Sequence, residues 1–230
     1  MNYLIVGGTS TIGKILINSL VRQEHTCYVI SRSDPERSHP SVKSLKMNIL
    51  EEEIPEDYLP QVLDGMVYLP GNINLKPFRA LSAEAFREAY EINFIGSVKS
   101  IQAAEKSLKR SENASIVLFS TVAVKTGMPF HSAIASAKGA VEGLARSLAA
   151  EFAPKVRVNT IALSLTNTKM ATRFLDSESK MKAMEDRHPM KQIGDPNDVS
   201  VLVEFLLSKN AKWITGETIR ADGGIGTLKV

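Results

Sequence analysis

Cysteine is nearly absent from this chain: Cys27 stands alone, inside a short apolar run that suits a core strand. One thiol can close no intrachain disulfide and build no cysteine metal cluster, which fits a reducing cytosol. No metal site is expected. Charge of one sign is scarce as well. Twenty-eight Lys and Arg against 25 Asp and Glu leave a formal net charge of +3. The two signs are mixed along the chain, so nothing points to a nucleic acid or a membrane surface as partner. No apolar run approaches the ~20 residues that a membrane span needs. A strand-like segment starts within two residues of Met1, so no secretory leader is expected and a cytoplasmic protein is.

What is present is an ordinary globular balance, 43% hydrophobic and 23% charged over 230 residues. That length suits one well-buried domain, spanning 1–230, and is short for two. Short apolar runs at 3–6, 27–30, 45–47, 66–69, 115–119, 156–162 and 218–220 alternate with segments of helical spacing. The longest of these read as helices over 82–109 and 132–152, with others over 12–21 and 198–207. Repeated βα units with apolar strands mean a parallel sheet buried on both faces. The expected architecture is therefore α/β, a doubly wound Rossmann-type sheet of about seven strands. Residues 35–44 are polar and read as a surface connection. Residues 164–192 mix Met170, Phe174, Met184 and Met190 with charges, and read either as a mobile substrate lid or as a helix pair packed on the body.

Gly7-Gly-Thr-Ser-Thr-Ile-Gly13 falls between the first strand and the first helix. That context gives a glycine loop its meaning, because glycine admits positive φ and lets backbone approach a pyrophosphate at a helix N-terminus. Thr9, Ser10, Thr11 and Ile12 belong to the same loop. The second strand ends at Ser31-Arg32, with no acid until Asp34. A carboxylate there would favour the ribose hydroxyls of NAD; Arg32 can instead hold a 2′-phosphate through two parallel hydrogen bonds. The expected cofactor is NADP(H), preferred over NAD(H); the alternative makes Arg32 a solvated surface charge.

Taken together these features resemble the short-chain dehydrogenase/reductase family over essentially the full length. Val6-Gly7 through Ile12-Gly13 matches the family's glycine pattern, with Thr11 at its middle glycine, and Asn48 stands where an aspartate usually holds the adenine. Gly71 closes a Tyr68-Leu-Pro-Gly stretch at the family's Asn-Asn-Ala-Gly. Asn93 matches the structural asparagine, Ser120-Thr121 the paired serines and Lys138 the lysine of Tyr-x-x-x-Lys. Val156-Arg-Val-Asn159 resembles the sixth strand, followed by Leu163-Ser164 in place of Pro-Gly and by Thr166 and Thr168 on the nicotinamide side. Ile214-Thr-Gly216 and Asp222-Gly-Gly224 match the C-terminal signature.

In that family the lysine binds the nicotinamide ribose and lowers the tyrosine pKa, the serine polarises the carbonyl, and the tyrosine moves the proton. Here the tyrosine position is Ile134, which has no proton to give. The resemblance implies Asn93, Thr121 and Lys138 as catalytic residues. His131, one helical turn before Ile134, is a possible proton shuttle or else an exposed loop histidine. Tyr68 has either a direct role or a packing one, and Tyr90 belongs to the core or to a subunit contact. Three functions stay open: an NADP(H)-dependent oxidoreductase acting on a small apolar carbonyl or alcohol with an atypical proton-transfer group, a catalytically degenerate NADP(H) sensor or scaffold, and a non-redox lyase or isomerase. The resemblance also implies a homotetramer or homodimer built through the helices around 82–109 and 132–152.

Overall fold

The computed structural model describes residues 1–33 and 39–229. Seven strands, β1 (Asn2–Val6), β2 (Thr26–Ser31), β3 (Val42–Lys46), β4 (Gly65–Tyr68), β5 (Ala114–Thr121), β6 (Val156–Leu163) and β7 (Thr218–Ala221), form one sheet. Their order is β3-β2-β1-β4-β5-β6-β7 and every neighbouring pair is parallel. The chain is thus a doubly wound Rossmann-type sheet. Its order reverses between β1 and β4, and such folds bind ligands in the crevice outside the strand ends at that point.

The strands β1 to β6 feed two cores, because successive side chains point to opposite faces. On one face Leu4, Met66, Ile116 and Leu118 pack with α3 (Gly96–Leu108) and α5 (Ser132–Phe152). On the other, Ile5, Val67, Val117 and Ile161 pack with α1 (Thr11–Arg22) and α7 (Pro196–Leu207). Cys27 lies wholly inside this second core, and burial pushes its thiol up to about 12. In α1 the buried positions Ile12, Leu16 and Leu20 recur every four residues, Ser10 caps the start, and no acid occupies the first turn. Asp195 caps α7, with Pro196 at a first-turn position where no intrahelical N–H is lost.

Two sequence expectations need correction. The polar connection over 35–44 ends earlier than expected, since β3 begins at Val42; its residues 35–38, and Asp34, lie outside the described residues. The single helix over 82–109 is broken: α2 (Ala83–Tyr90) and α3 flank one π-turn, Glu91–Ile95. There the Gly96 N–H bonds the carbonyl of Glu91 rather than that of Ile92. The freed Ile92 carbonyl accepts instead from the Tyr68 hydroxyl at 2.6 Å. Glycine at 96 makes this approach possible, because a Cβ there would run into that hydroxyl. Ala89 packs on Ala133 and Ala137, setting the π-turn against the first half of α5.

Candidate functional site

The loops after β1, β4, β5 and β6 meet at the same edge of the sheet and enclose a cavity of about 570 Å³. Ser10, Thr11, Ile12, Gly71, Asn93 and Thr121 line it, as do His131, Ile134, Lys138, Thr166 and Thr168. The rest of the wall is largely apolar, with Leu69, Phe119, Val122, Met170, Phe174 and Met184. Gly7, Thr9, Gly13, Ser31, Arg32 and Asn48 lie outside this wall.

Backbone conformation and close approach explain the glycines of the loop after β1. Gly7 has φ +81°, where an L side chain is strained. Gly8 is constrained by close approach: its Cβ would sit 2.5 Å from Val29 Cγ1, and one on Gly13 would sit 2.8 Å from the Gly8 backbone. These glycines press α1 onto the sheet. Ser10 Oγ accepts from the Gly13 N–H at 3.1 Å. Thr11 Oγ1 accepts from the Lys169 N–H at 3.3 Å, tying the loop to the segment over the cavity. Arg32 is exposed just past β2; Ser33 Oγ beside it donates to Thr9 Oγ1 at 3.1 Å, and Ser31 Oγ donates to the Ser33 carbonyl. Asn48 closes a turn after β3, its Oδ1 accepting from the Leu50 N–H and its own N–H bonding Glu52 Oε1.

The π-turn aims Asn93 at the cavity. Asn93 is buried, and its Nδ2 donates to the Ala89 carbonyl at 2.8 Å and to Asn72 Oδ1 at 3.0 Å. Its Oδ1 is buried without a partner. A Cβ at Gly71 would stand 2.9 Å from that oxygen and 3.9 Å from Lys138 Nζ, so glycine keeps a gap open between them. Tyr68 takes no direct part: it is buried, bonded to Ile92 and outside the cavity wall, and burial drives its phenol far up. Tyr90 is exposed and tilts against Phe94, so it is not a core residue.

Along α5, Ile134, Lys138 and Glu142 stand one turn apart on a single buried face. Ile134 presents only hydrocarbon to the cavity. Lys138 Nζ makes no hydrogen bond within the described residues, and desolvation lowers it from 10.5 to about 8. Glu142 accepts from Ser120 Oγ at 2.7 Å. Thr121 Oγ1 accepts at 3.3 Å from the N–H of Ala123, the first residue of the short helix α4 (Ala123–Thr126). His131 is half-buried and turns its Nδ1 to the Pro129 carbonyl at 2.7 Å.

Residues 164–192 form a 3₁₀ turn (Lys169–Phe174) and α6 (Glu178–Asp186) over the cavity. The ends of this segment are joined at their base. Thr166 bridges Gly194, and the Asn167 and Gly194 N–H groups bond the carbonyls of Gly194 and Leu165. Arg173 reaches across to the Ile73 carbonyl at 2.7 Å. Sequence reasoning missed one polar pair here. His188, buried in the cavity wall, meets Ser164 Oγ at 2.8 Å through Nε2 and the Met184 carbonyl at 2.8 Å through Nδ1. No local spacing joins residues 24 apart; the only trace was a serine where the resemblance expects glycine.

Comparison with known proteins agrees with this architecture. Residues 47–226 match the family model described as enoyl-(acyl carrier protein) reductase. A tropinone reductase homologue of Arabidopsis thaliana is 32% identical over 242 residues, 98% of this chain and 92% of that protein. The crystal structure of a short chain dehydrogenase family protein from Francisella tularensis superposes with a TM-score of 0.87 at 25% identity, covering 99% of both chains. A structure of ElxO with NADP bound gives 0.88 at 22% identity, again over 99% of both. The chain belongs to the short-chain dehydrogenase/reductase family, whose members use nicotinamide cofactors.

Proposed function

We propose that the chain is an NADP(H)-dependent oxidoreductase that interconverts a small, apolar carbonyl compound and its alcohol, moving the proton without a tyrosine. The observation that carries this reading is Lys138: a desolvated ammonium without a partner among the described residues, facing a largely apolar cavity beside Thr121 and the unpartnered Asn93 Oδ1. A buried charge left unpaired is costly, and such sites are where function concentrates.

The residues present fit a dinucleotide. Gly7, Gly8 and Gly13 leave backbone open at the positive end of α1, and Gly71 keeps free the space that a Cβ would take beside Asn93 and Lys138. Gly7, Thr9, Ser10, Thr11, Ile12 and Gly13 would cradle the pyrophosphate, Ser31 and Arg32 the 2′-phosphate, and Asn48 the adenine. Lys138 would bind the nicotinamide ribose, with Thr166 and Thr168 against the nicotinamide. The NADP held by ElxO supports the same choice of cofactor. When bound, NADPH supplies a hydride. The chain's own tasks are to orient the carbonyl through Thr121, exclude water with the apolar wall, hold a water near Asn93 and Lys138, and deliver a proton through a group such as His131.

The expected assembly is a homodimer or homotetramer in the cytoplasm; exposed Ser136, Gly143 and Ser147 on α5 would permit close helix packing. Fluorescence titration with NADPH and NADH, followed by a reductase screen on apolar aldehydes and ketones, tests the reading. Saturable NADPH oxidation that is lost in Lys138→Ala and in Thr121→Ala supports it. A sensor is the second reading, favoured by the hydrocarbon face of Ile134; tight NADPH binding with no oxidation would establish it.

A further inference from the structure

We infer that Ser164 and His188 form the proton-transfer pair of this site, taking the place that Ile134 leaves empty. The inference rests on the oxidoreductase reading above and deepens it.

The partners of the imidazole fix its tautomer. A carbonyl can only accept, so the Nδ1 that meets Met184 at 2.8 Å carries the hydrogen. In the neutral ring Nε2 is then a bare acceptor, and the hydroxyl of Ser164, 2.8 Å away, donates to it. Both side chains line the cavity, and His188 is only 3% exposed. Gly223, at φ +57°, brings the loop after β7 onto the ring: a Cβ there would lie 3.5 Å from the imidazole. A buried histidine with one nitrogen anchored and the other on a hydroxyl is the arrangement that makes serine exchange protons readily.

Position links the pair to the reacting centre. Thr121 and Leu163 are register partners at the ends of β5 and β6, and the Val122 N–H bonds the Leu163 carbonyl at 3.1 Å. Ser164 is the next residue, on the same edge as Thr121. His131 makes the same type of Nδ1 contact, but it is half-exposed and has no hydroxyl on Nε2 among the described residues.

The step balances in either direction. When a carbonyl carbon has received hydride with its electron pair, the alkoxide oxygen takes the Ser164 proton, forming the alcohol O–H and breaking the serine O–H. The imidazolium of His188 returns a proton from Nε2 to Ser164 Oγ and is left neutral. The carbonyl is reduced and the dihydronicotinamide oxidised. Alcohol oxidation starts from the neutral ring and runs the protons backwards. Ser164 is the catalytic residue and His188 acts through it.

The test uses the full chain with NADPH, para-nitrobenzaldehyde and acetophenone. Ser164→Ala is expected to lower kcat roughly 10²–10⁴-fold, with NADPH affinity by fluorescence unchanged within about twofold and Ser164→Thr restoring turnover. His188→Ala is expected to lose a similar factor and to regain rate in proportion to added imidazole, which a purely structural role would not produce. Long-range nitrogen–proton NMR of the cofactor-free protein should show His188 protonated at Nδ1. A neutral ring that carries its hydrogen on Nε2 and none on Nδ1, or kcat within twofold of wild type in Ser164→Ala, overturns the inference and leaves the oxidoreductase reading standing. A wild type that binds NADPH but reduces neither carbonyl overturns both.

Discussion

The Tyr68 hydroxyl lies 2.6 Å from the main-chain carbonyl of Ile92, a carbonyl that the π-turn before α3 leaves without the Gly96 N–H. Strand β4 and the break in the helix thereby lock to each other, and the break is what carries Asn93 to the cavity. A tyrosine in the neighbourhood of the site thus supports its geometry and stays out of its chemistry. Tyr68→Phe leaves a buried carbonyl unpaired and should cost about 1–3 kcal/mol in denaturant unfolding. Gly96→Ala should cost more, since its methyl collides with the same hydroxyl, and Tyr68→Phe added to it should restore part of the loss. Simple additivity in that double-mutant cycle would show that the two residues are not coupled.

Lys138 makes stability depend on pH. Its folded value near 8 lies below the ordinary 10.5, so between those values the unfolded chain holds more protons and stability rises with pH. Below about pH 8 the desolvated ammonium exerts its full penalty. Lys138→Met should therefore be more stable than wild type at pH 7, by about 1–3 kcal/mol, with the gain shrinking toward pH 10.5. Thermal unfolding from pH 6 to pH 10 checks this, and a gain independent of pH would disprove it. The same substitution should weaken NADPH binding.

Arg32 stands exposed at the end of β2 with no acid beside it among the described residues. Arg32→Ala should reduce NADPH affinity roughly 10–100-fold, the scale of a charge-assisted hydrogen bond of about 1.5–3 kcal/mol, and leave NADH affinity nearly unchanged. Parallel fluorescence titrations measure the ratio. A preference for NADPH that survives would remove Arg32 from the 2′-phosphate site.

Thr11 Oγ1 is the acceptor that joins the glycine loop to Lys169. Thr11→Ala should loosen the segment over the cavity, and limited trypsin digestion should cut at Lys169 or Arg173 several times faster than in wild type. Unchanged cleavage would mean that the Arg173 contact with Ile73 suffices to hold it.

Ile134 lines the cavity one turn before Lys138. Ile134→Tyr places a phenol beside the ammonium. In the Ser164→Ala background it should raise carbonyl reduction roughly 10²-fold or more, measured as NADPH oxidation. No gain there would mean that a phenol at 134 does not reach the substrate oxygen.

The strands were legible because a sheet buried on both faces writes itself as short apolar runs, as at residues 3–6 and 115–119. Ser10 and the glycines announced the first helix by local chemistry alone. The π-turn was hidden, because what favours it is a hydroxyl 24 residues upstream of Ile92 and a glycine whose role depends on that hydroxyl. For the same reason Tyr68 read as a possible participant. His188 was lost among the methionines and charges of residues 164–192, since its partner Ser164 also lies 24 positions away. His131 drew notice by standing next to the motif, and adjacency in sequence is a poor guide to which imidazole is buried. The sequence did flag Leu163-Ser164 as a departure, and the structure shows what stands opposite that serine.

The joint between Thr166 and Gly194 gives residues 167–193 the character of a cassette. A loop whose ends meet at one bridge can grow or shrink with little entropic penalty, because closure cost rises only with the logarithm of length. Substrate range could therefore be rewritten over the cavity by exchanging that stretch, while β6, β7 and the ladder between them keep their register.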